Sequence, residues 1–206
     1  MSARNLRHPQ ADQALRARRV LRTGRAFQAI LALALLLCLG IAPVQAENTP
    51  QDPQKRTPQG KYLTAMETWL LLKRNGTNIV IVDVRPPEER ASVGYPPMSV
   101  NIPAQLLVRT PGLGNSTARM VDNPNFVRLM QQRFKPDDSF VLMCRSGNRS
   151  AAAARRLAEA GFINAYNMTD GFEGDIETSP GSLGYGTRSK NGWRNAKLPW
   201  TTEARK

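Results

Sequence analysis

From Lys61 onward, short apolar runs alternate with segments of helical periodicity. Thr64-Ala65-Met66-Glu67 has capping-box spacing, and Met66, Trp69, Leu70 and Leu72 predict a helix ending near Asn75-Gly76. Ile79-Val80-Ile81-Val82 is β-branched throughout and reads as a buried strand that runs into Asp83-Val84-Arg85 and stops at Pro86-Pro87. A second helix fits Pro124 to Phe134, with Pro in its first turn and Phe126, Leu129 and Met130 on one face. Phe140 to Met143 is another buried strand, followed after six residues by an Ala-rich helix from Ser150 to Ala160 that Gly161 ends. Asn164 to Met168 predicts a last short strand. Strands separated by helices imply an α/β fold: a central parallel sheet with helices on both faces.

The region before Lys61 has a different character. Seven arginines precede Ala29 to Ala42, an uncharged run dominated by Leu, Ala and Ile, and Val44-Gln45-Ala46 offers a cleavage site with small residues at both recognition positions. Residues 1–46 therefore read as a signal peptide. The apolar run is shorter than the roughly 20 residues of a bilayer span, and a retained membrane anchor is the alternative. Either way the remainder is expected in the periplasm or another export compartment. Residues 47–60, with three prolines among Gln, Asn, Asp and Thr, read as a flexible linker, and residues 61–206 as the folded domain.

The 206 residues carry a formal net charge of +13, but removing residues 1–46 lowers it to +7. The remaining basic residues are spread along the chain without interleaved aromatics, which argues against nucleic-acid binding. His8 is the only histidine, and Cys38 and Cys144 are the only cysteines. Without the leader there is no histidine and a single thiol. That excludes Ser-His-Asp and Cys-His dyads, His-liganded or thiolate zinc, and an internal disulfide, and no cofactor motif is present.

Cys144 lies at the end of a predicted parallel strand, where open sheets bind ligands. Cys144-Arg145-Ser146-Gly147-Asn148-Arg149 must turn the chain into the following helix, so their backbone N–H groups can converge at the positive end of its dipole. A sulfur there is held as thiolate by those donors and by Arg145 and Arg149, without histidine. The simpler alternative is a buried, inert cysteine beside surface arginines.

The segment Cys144 to Ser150 resembles the active-site loop of rhodanese-type sulfurtransferases. Val82-Asp83-Val84-Arg85, Glu89 and Asn101-Ile102-Pro103 resemble the family's first-half pattern, and Gly161-Phe162 and Asp170-Gly171-Phe172 its later turns, so the resemblance spans about residues 61–200. It implies a single rhodanese-like, three-layer domain. Cys144 would take sulfane sulfur from a small anionic donor such as thiosulfate, hold it as a persulfide, and yield it to cyanide, a thiol or a protein acceptor. Arg145, Ser146, Gly147, Asn148 and Arg149 would bind the donor, with loop amides stabilising the persulfide and the two arginines attracting the dianion. Asp83 and Arg85 would brace the loop, or else form an ion pair with Glu88 or Glu89.

Two segments depart from the family pattern. Gly94-Tyr95-Pro96-Pro97-Met98-Ser99-Val100 replaces the usual Gly-His-Ile-x-Gly-Ala. Residues 175–191, rich in Gly and Ser, separate Gly171 and Gly174 from Trp193 and Leu198-Pro199-Trp200; they read as a surface loop, with a lid as the alternative. The related phosphatases carry a loop one residue longer, whereas Arg149 stands five positions after Cys144. A carrier module that hands persulfide to a protein partner is the alternative function. Trp193 and Trp200 would then form a docking patch, against the commoner role of core packing.

Overall fold

The computed structural model describes residues 49–74, 79–110 and 117–203. The leader, its cleavage site and the expected helix end at Asn75-Gly76 lie outside the described residues. In chain order the elements are β1 (Tyr62–Leu63), α1 (Ala65–Lys73), β2 (Val80–Asp83), α2 (Pro87–Val93), β3 (Val100–Asn101), β4 (Gln105–Thr110) and β5 (Thr117–Asp122). They continue with α3 (Phe126–Arg133), β6 (Phe140–Met143), α4 (Asn148–Glu159), β7 (Ala165–Met168), β8 (Asp175–Ile176) and β9 (Arg188–Lys190). Five strands form a parallel sheet in the order β1-β7-β6-β2-β3.

The sheet is covered on both faces, and strand alternation shows how. Val82, Phe140 and Leu142 point into one core with Phe126 and Met130 of α3 and Ala153, Ala154 and Leu157 of α4. Ile81, Val141 and Met143 point the other way, into a core with Ala65 of α1, Phe172 and Trp193. Central β6 is therefore buried at every position, as its uninterrupted apolar run predicts.

Several elements differ from expectation. The capping box of α1 is present, with the Thr64 side chain accepting from Glu67 N and the Glu67 carboxylate accepting from Thr64 N at 2.7 Å. Its inward line, however, is buried Ala65 and Thr68 with half-buried Trp69 and Leu72, the i, i+3, i+4, i+7 set. Met66 and Leu70 are one position off that line and are exposed. Pro86-Pro87, read as a strand terminator, also starts α2, because Pro suits a first helical turn and Glu88 and Glu89 complement the helix dipole. The sequence reading also missed the antiparallel pair β4–β5. Arg156 secures its base by donating to the carbonyls of Ala104 (3.1 Å) and Asn123 (2.7 Å).

The described part of the expected flexible linker is instead a strap on α4. Pro53–Lys55 form a 3₁₀ turn capped by Asp52, and Gln59 donates to the carbonyls of Ala154 (2.9 Å) and Phe162 (3.2 Å). Arg155 and Asn167 in turn donate to the carbonyls of Arg56 and Lys55. Proline limits the unfolded chain while these long-range side-chain bonds hold the folded one, so a linker-like composition is compatible with order. Within residues 175–191, β8 pairs with β9 as a small hairpin whose Leu183 is fully exposed. Trp193 is fully buried, edge-to-face with Trp69 at 5.9 Å, and its indole N–H donates to Pro199 O. Trp200 remains 43% exposed, against Phe172.

Candidate active site

Cys144 is the first residue after β6, at the carboxyl end of the sheet, and is only 1% exposed. Its carbonyl accepts the Phe172 N–H at 2.8 Å, and the Arg145 carbonyl accepts the Glu173 N–H at 2.9 Å. The chain therefore leaves the strand held from beneath by the 170–173 turn. Gly147 then adopts φ +98°, and a Cβ there would run into the Thr169 carbonyl, so only glycine fits. This reversal aims the Gly147 N–H back at the Cys144 sulfur, 3.1 Å away.

Gly147 is also the N-cap of α4, and it offers no side chain to the helix end. The N–H groups of Asn148, Arg149 and Ser150 are thus open first-turn donors, and those of Arg145 and Ser146 also lack an acceptor among the described residues. Ser150 Oγ lies 3.4 Å from the sulfur and 2.6 Å from Asn167 Oδ1. Asn167 donates to the carbonyls of Gly147 and Lys55, which ties loop, helix and strap together. The result is a buried sulfur that accepts one backbone N–H, at a helix end where neighbouring N–H groups have no acceptor among the described residues, an arrangement suited to a thiolate, a persulfide or a departing oxyanion.

The two loop arginines sit in different surroundings. Arg149, expected to attract a donor, forms a two-pronged ion pair with Glu89 of α2, with both nitrogen–oxygen distances 2.7 Å. Burial pulls the Arg149 pKa down, but Glu89, by hydrogen bond and charge, and the Cys144 and Asp83 charges leave it above the ordinary arginine value. Arg145 is exposed, and its guanidinium has no hydrogen-bond or ion-pair partner among the described residues. Ser146 is half-buried, and the Asn148 side chain turns away to donate to Gln54 of the strap at 2.8 Å.

Asp83 and Arg85 pair with each other, not with Glu88 or Glu89. Both are fully buried, joined by bonds of 2.9 and 2.7 Å, and Arg85 also donates to Gly94 O. The Arg85 guanidinium stacks over the Phe172 ring at 4.6 Å. It thereby reaches the loop through the residue whose N–H binds the Cys144 carbonyl. Asn101 donates to the carbonyls of Asp83 and Arg85 from β3, which explains an asparagine at that place.

Two contributors escaped the sequence reading. Asn167 sits in a strand of apolar appearance, with no local sign of its role. Asp170, visible only within Asp-Gly-Phe, accepts the N–H groups of Ala65 and Gly192, each at 2.8 Å, and so pins the turn beneath the loop. Burial raises the Asp170 pKa above the usual carboxylate range, although the bonds from Gly192 and Ala65 oppose it.

The rhodanese-like domain model matches residues 66–177, from α1 through the Cys144 loop into the β8–β9 hairpin. The chain belongs to the rhodanese-like family. Over 91 residues it is 35% identical to the senescence-associated protein DIN1 of Raphanus sativus, covering 44% of this chain and 45% of that protein. It is 30% identical over 119 residues to thiosulfate sulfurtransferase 16, chloroplastic, of Arabidopsis thaliana, covering 58% and 88%. Among solved structures it is similar to Rv0390 of M. tuberculosis, at 32% identity and a TM-score of 0.54 over 69% of this chain and 98% of that one. A rhodanese-like domain with a central parallel sheet accounts for both the element order and the position of the cysteine loop.

Proposed function

We propose that this rhodanese-like protein is a sulfurtransferase that carries sulfane sulfur on Cys144 from thiosulfate or a similar anionic donor to a thiophilic acceptor. One observation carries the reading: the Cys144 sulfur accepts the Gly147 N–H at the uncapped amino end of α4, beside further N–H groups that have no acceptor among the described residues. The Cys144 thiolate attacks the outer sulfur of the donor. As the new sulfur–sulfur bond forms, the donor's own sulfur–sulfur bond breaks and its electron pair leaves with sulfite. The persulfide anion left behind sits where the loop amides and the helix dipole stabilise negative charge. Cyanide or a thiolate then attacks the terminal sulfur and restores the Cys144 thiolate.

Arg145 is the loop cation placed to draw the donor in, and the Arg149–Glu89 pair holds the loop. The Arg-rich leader supports export, so the reaction would take place in the periplasm or on the export side of a membrane; N-terminal sequencing of protein from its host should begin near Glu47.

Steady-state turnover of thiosulfate with cyanide tests the enzymatic reading. The proposal expects thiocyanate and sulfite in equal amounts. Stoichiometric sulfur loading without turnover, followed by transfer to a protein thiol, would favour the carrier reading.

A further inference from the structure

Cations near the Cys144 loop are largely matched by carboxylates. Arg149 meets both oxygens of Glu89, Arg85 meets both oxygens of Asp83, and Lys55 meets Asp175 at 2.7 Å. Arg145 is exposed and has no carboxylate partner among the described residues. The Arg149–Glu89 pair is about three-quarters buried, with side-chain exposures of 26% and 22%, so solvent screens it little and its fork geometry is saturated. A donor could use the Arg149 charge only by displacing the Glu89 carboxylate.

We propose that Glu89 is a specificity-determining residue: by neutralising Arg149 beside the Cys144 loop, it shifts the site's preference away from dianionic donors and toward sulfane donors with one negative charge. This deepens the persulfide reading above and rests on it. The argument is electrostatic. A second charge on the donor gains only from uncompensated cations, and Glu89 removes one of them from the Cys144 loop. Arg149 lies in the first turn of α4, next to Ser150, whose Oγ is 3.4 Å from the Cys144 sulfur, so the neutralisation falls beside the sulfur that the donor must reach.

Thiosulfate and methanethiosulfonate separate the effect of charge from that of chemistry. Each has an outer sulfur on an oxidised sulfur, with two negative charges in the first and one in the second. With either, the Cys144 sulfur bonds to the outer sulfur, the donor's sulfur–sulfur bond breaks, and the electron pair leaves with sulfite or methanesulfinate. No other oxidant or reductant takes part.

The experiment compares kcat/KM for the two donors, with cyanide as acceptor, in the wild-type protein and in Glu89→Gln. Gln retains one acceptor oxygen for Arg149 while removing the charge. The proposal expects the thiosulfate-to-methanethiosulfonate ratio to rise about fivefold in Glu89→Gln at low ionic strength and to fall back toward wild type in high salt. The charge-neutral double variant Glu89→Gln/Arg149→Gln should return the ratio to within about twofold of wild type. A ratio unmoved by Glu89→Gln overturns the proposal, as does a ratio in the double variant several-fold below wild type, which would mean that Arg149 already serves the dianion. Intact mass distinguishes the two levels of failure. If neither donor adds sulfur to Cys144, the persulfide reading falls; if sulfur is added but the ratio ignores Glu89, only the specificity proposal falls.

Discussion

Phe172 donates its backbone N–H to the carbonyl of Cys144 at 2.8 Å, so the peptide of Cys144 rests on the turn that follows β7. Gly171, next to it, has φ +62°, and a Cβ there would lie 2.6 Å from the Arg145 carbonyl carbon and the Ser146 nitrogen. That turn and the loop are in backbone contact, and neither can shift without the other.

Gly171→Ala should therefore damage the site more than its size suggests. Left-handed strain and the backbone clash together predict about 1–3 kcal/mol of lost stability. The remaining folded protein should show a larger fractional loss of kcat than Gly161→Ala, because a Cβ at Gly161 meets open space. Comparing kcat at equal folded fraction checks this; equal losses in the two variants would remove the special role of the contact.

The buried Asp83–Arg85 pair should act as a unit. Arg85→Met leaves a fully buried carboxylate without its guanidinium and should cost about 3–5 kcal/mol in urea unfolding. Asp83→Asn combined with Arg85→Met should cost clearly less than the two single losses added. Additivity would show that the two side chains contribute independently.

Much of this fold was legible because its signals are local. The Thr64 capping box, the β-branched strand before Asp83 and the run Phe140 to Met143 each carry a complete pattern within a few residues. The cysteine loop was legible for the same reason, since a strand, six polar or small residues and an Ala-rich helix adjoin in sequence. What stayed hidden depends on distance. Glu89 meets Arg149 across 60 positions, and it does so from α2, a helix concealed behind two prolines. The strap is held by Gln59 and Asn167 reaching distant carbonyls, which composition does not report. The β4–β5 pair lacks the clean alternation of a sheet with one wet face, so its strands gave no period to read.

Asp170 predicts a specific pH dependence of stability. Its pKa in the folded protein is raised, chiefly by burial, so across the window from the ordinary carboxylate value up to the folded one the native state binds more protons than the unfolded chain. Its contribution to stability should fall as pH rises through that window and stay constant above it. Asp170→Asn cannot titrate. The stability of wild type minus that of the variant, measured by urea unfolding, should decrease as pH rises above the ordinary carboxylate value and level off once the pH has passed the raised folded value. An increase over that range would contradict the assignment.

Arg145 and Arg149 should part company under mutation. Arg145→Ala should lower kcat/KM for thiosulfate up to about tenfold at low ionic strength, with the loss shrinking as salt is added, because this guanidinium is exposed. Its melting temperature should stay close to wild type. Arg149→Ala leaves the partly buried Glu89 carboxylate without its partner and should lower the melting temperature instead. A salt-independent Arg145→Ala defect would remove it as the recruiting cation.

The most direct test of the account is the intact mass of the wild-type protein and of Cys144→Ser after incubation with thiosulfate and removal of small molecules. Serine nearly matches cysteine in volume and lacks the nucleophilic sulfur. The account predicts that wild type gains one sulfur atom, lost again on adding cyanide with release of thiocyanate, and that Cys144→Ser melts like wild type, gains nothing and transfers nothing. Cyanide-labile sulfur on the folded serine variant, or none on the wild type, would contradict it.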